Sequence, residues 1–272
     1  MLDQIRAGFS FYRQAKTKFK IQSPKAYDFI VHVLDDEKDY YAFHPIEVHR
    51  ENLMRRKDAI LITDLGAGSR KMDSRERMVG DIAKYSLSSV KQCKRLFRLV
   101  EHYKPKHILE LGSSLGIATS YMAKANNASK VVSIEGDPKV AELASKTYQR
   151  LGAENIELII GSFKDKLPLV LQDLESIDLA FIDGHHTYEA TLAYAQLVHP
   201  YINDGGILVF DDINWSSGMR KAWSEVKQLP GVTLSIDLFD QGFLFFDPNI
   251  VHKQEIKFIK YKYKPWQIGL FQ

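Results

Sequence analysis

Three aspartates close apolar, strand-like runs of this chain: Asp183 follows the run at 177–182, and Asp211 with Asp212 ends the run at 206–210. If those runs are parallel strands, their carboxylates gather at the sheet edge where open α/β folds bind ligands. Asp183, Asp211 and Asp212 together offer hard oxygen donors of the kind that suit magnesium. The same acids could instead steer a cationic ligand or orient an acceptor. His186 stands three residues beyond Asp183. A histidine accepts a proton near neutral pH, so His186 is the candidate general base and Asp183 its catalytic companion. A lone histidine is more often structural, and its place beside a strand end is what singles this one out.

A second set of residues has the spacing of a nucleotide cradle. The segment ILELGSSLG (108–116) reads as a strand, a glycine turn and the start of a helix, and a further strand ends in Glu135, 25 residues after Glu110. Glycine lets a ligand approach the backbone, the helix start offers free N–H groups, and an acid at the next strand tip is placed for ribose hydroxyls. The competing loop at 63–68 lacks this sequel and reads as a turn, although Asp64, Ser69 and Arg70 could border a pocket as a lid. Gly112 to Gly116 is GxxxG rather than the GxGxxG of nicotinamide cradles, so an NAD(P) oxidoreductase is the alternative and not the first reading.

The elements that must position these residues follow from hydrophobic period. Short β-branched runs at 107–111, 130–135, 156–160, 177–183, 206–211, 232–237 and 242–246 alternate with helical stretches near 115–125, 138–151, 164–174, 187–202 and 216–228. This is the pattern of an α/β fold with a doubly wound, seven-stranded, mostly parallel sheet. Only 238–241 separates the last two strands, too short for a parallel crossover, which predicts an antiparallel terminal hairpin. Residues 1–105 read as mainly helical, with helices at 24–34, 41–57 and 88–103. The expected organisation is an N-terminal helical cap at 1–85, a ligand-binding domain at 86–250 and a basic, aromatic tail at 251–272. Lysine and aromatic residues alternate over 258–266, predicting an edge strand protected by charge. Trp215 and Trp223, eight residues apart, could both be core, and Trp223 is expected there.

Composition narrows the class. The chain has 272 residues, 45% hydrophobic and 26% charged, enough for a full core. Cys93 is the single cysteine, which excludes an internal disulfide and cysteine-ligated zinc. No apolar run reaches membrane-span length and no uninterrupted signal-type core exists, so a cytoplasmic protein is expected. Residues 1–25 carry six Lys/Arg against one Asp and residues 251–272 five Lys against one Glu, leaving the body acidic despite a net charge of +3. That distribution disfavours a nucleic-acid groove, although basic ends could touch phosphates or a membrane surface. Apolar residues on the helical cap suit a homodimer.

These segments together resemble the class I S-adenosylmethionine-dependent methyltransferases, and most of all the small-molecule O-methyltransferases of the catechol and sugar type. ILELGSSLG (108–116) looks like the family's first motif, VSIEGDP (132–138) its ribose-binding strand end, and GSFKD (161–165) its adenine-side loop. FIDGHHTY (181–188) and GGILVFDD (205–212) are similar to the fourth and fifth strand ends. The resemblance implies a Rossmann-like methyltransferase fold and S-adenosylmethionine as cofactor. Glu110, Gly112, Ser113, Ser114 and Gly116 would lie on its methionine side, Glu135 at the ribose, Gly161, Ser162 and Phe163 at the adenine, and Asp183 close to it. Residues 86–89 resemble the family's loop over the cofactor. In the catechol type the counterparts of Asp183, Asp211 and Asp212 hold magnesium, with Asn in the last place, and a Lys stands where this chain has His186. The implied activity is methyl transfer to a hydroxyl of a small-molecule acceptor, with metal assistance open. A non-catalytic module binding S-adenosylmethionine or RNA is the remaining alternative.

Overall fold

The computed structural model describes residues 2–62 and 76–267. The loop with Asp64, Ser69 and Arg70 lies outside the described residues. In chain order the structure runs α1 (Leu2–Gln14), α2 (Pro24–Phe29), α3 (Phe43–Met54), β1 (Ala59–Leu61), β2 (Glu76–Met78), α4 (Val79–Tyr85), α5 (Val90–Tyr103), β3 (His107–Leu111), α6 (Ile117–Ala125), β4 (Lys130–Glu135), α7 (Pro138–Leu151) and β5 (Ile156–Ile160). It continues with α8 (Phe163–Leu174), β6 (Ile177–Ile182), α9 (Tyr188–Val198), β7 (Ile202–Asp211), α10 (Ser217–Val226), β8 (Leu234–Asp237), β9 (Gln241–Phe245) and β10 (Gln254–Lys257). All seven expected strands form.

Two compact units divide the chain, one made of residues 37–177 and the other of 1–36 with 178–272. In the 37–177 unit the strands lie in the order β3-β4-β5, all parallel, with Leu109 opposite Val132 and Val132 opposite Glu157. Local signals set the helix ends. Ser89 and Gln92 form a reciprocal capping box at the start of α5, satisfying two otherwise orphaned N–H groups. Asp137 caps α7 with Pro138 at its first position, and Gly152 stops it in the left-handed conformation. The α5 face carrying Cys93, Leu96, Phe97 and Val100 is fully buried. Phe43 meets Phe97 and Tyr121 at ring distances of 4.8 and 5.6 Å. A short antiparallel pair, β1 with β2, completes this unit.

In the other unit the order is β10-β8-β9-β7-β6, and β9 runs antiparallel to both β7 and β8, as the short 238–241 connection requires. Phe29 of α2 packs on Phe243 and Phe245 of β9 at 4.9 and 5.3 Å. Trp223 is buried, in keeping with its expected core role, whereas Trp215 is exposed.

The tail departs from its expected form. Its strand is β10, parallel to β8, and ends before the Lys-aromatic alternation begins. Phe258 makes a single bridge to Lys16, and 3-10 turns follow at Tyr261–Tyr263 and Pro265–Gln267. The reason is that tertiary contacts reverse the pattern: Lys264 is buried, donating to the Ala15 carbonyl at 2.7 Å, while Tyr261 and Tyr263 are exposed. Pro265 also lacks the N–H a ladder needs.

Gly242 sits in the middle of this packing. A Cβ there would lie 2.6 Å from the Trp223 ring, so Gly242→Ala must displace a buried indole. The expected loss is about 1–3 kcal/mol, read as a lower urea midpoint at unchanged slope.

Candidate active site

The glycine loop of the 37–177 unit is built by strand ends. β3 leads into Gly112, whose N–H donates to the Ile134 carbonyl of β4 at 2.9 Å. The backbone then takes positive φ at Gly112 (101°), Ser114 (47°) and Gly116 (79°), and Gly116 caps α6. Glycine is needed at Gly116 for packing as well as conformation, because a Cβ there would lie 2.5 Å from the Tyr148 ring. At the tip of β4 the Glu135 carboxylate accepts from the Ser114 N–H at 2.9 Å and the Asp137 N–H at 3.0 Å. Burial raises its pKa against those hydrogen bonds. The Glu135 carbonyl accepts from Gly161 N–H at 2.9 Å, which brings the Gly161 turn beside β4, and Ser162 caps α8 by accepting from Asp165 N–H. Phe163 is buried at the first turn of that helix. The segment at 86–89 ends in the Ser89 cap, and Arg50 donates to the Ser88 carbonyl at 2.7 Å.

Glu110 and Ser113 are placed beneath the loop rather than on it. Glu110 is fully buried, and its Oε2 accepts from Ser133 and Thr119, both at 2.5 Å. Ser113 shares a hydrogen bond with Ser133 at 2.5 Å, and Tyr148 donates to Thr119 at 3.1 Å. Burial pushes the Glu110 carboxyl up to about 7 despite the Ser133 and Thr119 bonds, with Glu135 adding to the shift. Thr119, Ser133 and Tyr148 escaped sequence reasoning. The available signal was Ser133, a polar residue in the otherwise apolar interior of β4.

The loop has a distinctive charge. No Lys or Arg occurs from His107 to Ala123, and the two acids Glu110 and Glu135 adjoin it. Within that segment a pyrophosphate would meet no side-chain cation, and the Glu135 carboxylate suits a ligand with hydroxyl or cationic groups.

The second cluster lies in the unit of residues 1–36 and 178–272. Asp183 follows β6, and the next side chains, His185 and His186, both take positive φ, 62° and 26°. Asp212, after β7, does so at 53°. Non-glycine residues held in this region cost of order 1–3 kcal/mol each and cluster at functional sites. His185 hydrogen-bonds through Nδ1 to the Tyr194 hydroxyl of α9, while His186 Nε2 lies 3.5 Å from Asp183 Oδ1. The two neighbouring histidines are thereby committed to different partners. Burial pushes Asp211 well above the carboxylate range, reinforced by Asp183 and Asp212 and opposed by His186. Asp212 is raised by burial, with His186 opposing and Asp240 adding. Asp240, from the β8–β9 turn, is a member that sequence reasoning missed. Among the described residues no three His, Cys, Asp or Glu side chains converge as metal ligands. Asp183, Asp211 and Asp212 share one electrostatic field.

A family model described as a methyltransferase domain matches residues 109–213, spanning both clusters in the sequence. Residues 109–213 are thus similar to methyltransferase domains. The chain is similar to O-methyltransferase imqG of Aspergillus flavus, 38% identical over 86 residues, which are 29% of this chain and 35% of that protein. It is also 36% identical over 99 residues to a catechol O-methyltransferase of Niastella koreensis, covering 35% of this chain and 45% of that one. The alignments thus span less than half of either relative. The crystal structure of O-methyltransferase TomG from Streptomyces achromogenes, in complex with S-adenosylmethionine, aligns with a TM-score of 0.53 at 19% identity over 82% of this chain and 98% of its own. That likeness establishes the Rossmann-like methyltransferase fold. No described helix is long and apolar enough to cross a membrane.

The buried Glu110 carboxyl has a consequence for stability. The folded chain keeps its proton up to about pH 7, whereas the unfolded chain releases it near the ordinary 4.5. Between those values the native state binds more protons, so stability falls as pH rises, by about 3 kcal/mol for this group. Glu110→Gln should flatten the decline of melting temperature from pH 5 to pH 8. An unchanged slope would assign the decline to other acids.

Proposed function

We propose that this protein moves a methyl group from S-adenosylmethionine to a hydroxyl of a small-molecule acceptor. The observation that carries the reading is the glycine loop itself: left-handed turns at Gly112, Ser114 and Gly116, no Lys or Arg from His107 to Ala123, and Glu135 fixed at the next strand tip. S-adenosylmethionine, when bound, supplies a methyl group on a positively charged sulfur. In this reading Gly112, Ser114 and Gly116 take its methionine part, Glu135 the ribose, and the Gly161–Phe163 segment the adenine. Glu110 and Ser113 hold the loop in shape from below. The named O-methyltransferases among the relatives support oxygen as the acceptor atom. Residues 86–250 form the catalytic domain, residues 1–85 shape the acceptor site, and the protein works in the cytoplasm, consistent with a single, buried cysteine, Cys93.

His186 is the proton acceptor, and Asp183, 3.5 Å away, orients its imidazole. As the acceptor oxygen forms its bond to the methyl carbon, the carbon–sulfur bond breaks, its electron pair stays on sulfur as a neutral thioether, and the hydroxyl proton passes to His186. Burial and the acidic neighbours disfavour a charge on Asp211. Magnesium, when bound, would be held by Asp183, Asp211 and Asp212 and would make the acceptor hydroxyl more acidic.

Calorimetry should show S-adenosylmethionine and its demethylated product both binding and NAD not binding. In a screen of phenolic and sugar acceptors followed by mass spectrometry, His186→Gln should lower turnover by about 10²–10⁴-fold with cofactor affinity preserved. Asp183→Asn should follow it in direction. Full activity in His186→Gln would remove the assigned base, and binding of NAD in place of S-adenosylmethionine would remove the methyl-transfer reading.

A further inference from the structure

The two basic ends of the chain, separated by over two hundred residues, form one surface. The Lys16 N–H donates to the Lys257 carbonyl at 2.7 Å and the Ile259 N–H to the Lys16 carbonyl at 3.0 Å, stitching the residues after α1 to those after β10. Tyr12 donates to the Tyr263 carbonyl at 2.8 Å and packs edge-on to Trp266, and Phe19 packs edge-on to Tyr261. The result is a run of exposed apolar side chains: Ile5 and Phe9 one turn apart on α1, then Trp266, Tyr263, Tyr261 and Phe19. Phe9 is 70% and Trp266 66% exposed. Single exposed apolar residues are ordinary, but a run of six large ones on joined segments is a contact surface.

Charge identifies what it contacts. The carboxylates of these segments are already engaged: Asp3 by Arg220, Asp35 by Lys18 and Lys260, and Glu255 by Lys227. Arg6, Arg13, Lys16 and Lys262 are exposed beside the apolar run and pair with no carboxylate among the described residues. Aromatic residues and lysines flanking an amphipathic helix are the composition of a surface that settles into the headgroup layer of an anionic bilayer. A second copy of this chain fits poorly, because a two-fold contact would set these four cations against themselves. Single-stranded RNA fits less well than lipid. Base stacking needs open ring faces, whereas here Lys18 lies over Phe19 and Tyr261 and Lys262 over Tyr263, at 5.2–5.7 Å.

We infer that the joined ends, centred on α1 and the Tyr261–Gln267 turns, are a peripheral docking surface for anionic membranes. The surface is independent of the methyl-transfer reading, since none of its residues belongs to the loop or to the acid cluster.

The test is co-sedimentation of the full chain with phosphatidylcholine vesicles with and without phosphatidylserine, at low and high salt, beside a titration with polyuridylate. Binding should require phosphatidylserine and fall with salt. Arg6→Gln with Lys262→Gln should weaken it at least tenfold, at about fivefold per cation removed. Phe9→Ala with Trp266→Ala should weaken it at unchanged salt dependence, with circular dichroism verifying that both variants fold. Absence of vesicle binding, equal binding to neutral vesicles, or binding of polyuridylate but not of vesicles would each overturn the proposal.

Discussion

A carboxyl group sealed beneath the glycine loop is the constraint on which the 37–177 unit depends. Glu110 has no solvent to hydrate it, so its surroundings must supply what water would. Ser133 reaches it from β4 and Thr119 from α6, Tyr148 of α7 holds Thr119, and Ser113 joins the same network from the loop. One buried acid therefore ties two strands, two helices and the loop to a single arrangement. A loop so anchored can keep three left-handed residues in register before any ligand arrives.

The acid cluster of the other unit is organised on the opposite principle. Its members carry backbone strain and mutual repulsion. Left-handed His185 and His186 turn two adjacent rings toward different partners, so that only His186 is left facing Asp183. Asp211 and Asp212 sit where burial and neighbouring charge both disfavour ionisation. Such a site costs stability, and β7 and β9, with fully buried apolar interiors, provide the rigid support that permits it.

The chain ends show how composition acquires meaning only when segments meet. Neither the basic N-terminal helix nor the Lys-aromatic tail is remarkable as a stretch of sequence. Backbone pairing through Lys16, Phe258 and Ile259 places their rings side by side and sorts their lysines, burying Lys264 while leaving Lys262 in water. Sorting of this kind turns a charge excess into a surface with an apolar ridge and cationic flanks.

Local pattern determined the fold to a large degree. Alternating β-branched runs and amphipathic helices located all seven expected strands, the four-residue connection at 238–241 forced the antiparallel hairpin, and Asp137-Pro138 and Gly152 marked α7, because each signal is carried by neighbours in sequence. The glycine loop, Glu135 and the strand-end aspartates were legible for the same reason. What only the tertiary structure decided were properties made by distant residues together. These are the burial of Glu110 under Ser133, Thr119 and Tyr148 and the contribution of Asp240 to the acid cluster. The tail belongs with them: its alternation predicts a strand, but the packing of Lys264 against Ala15 and the exposure of Tyr261 and Tyr263 reverse it. Periodicity reports which face of an element is apolar, and only the folded chain determines what that face meets.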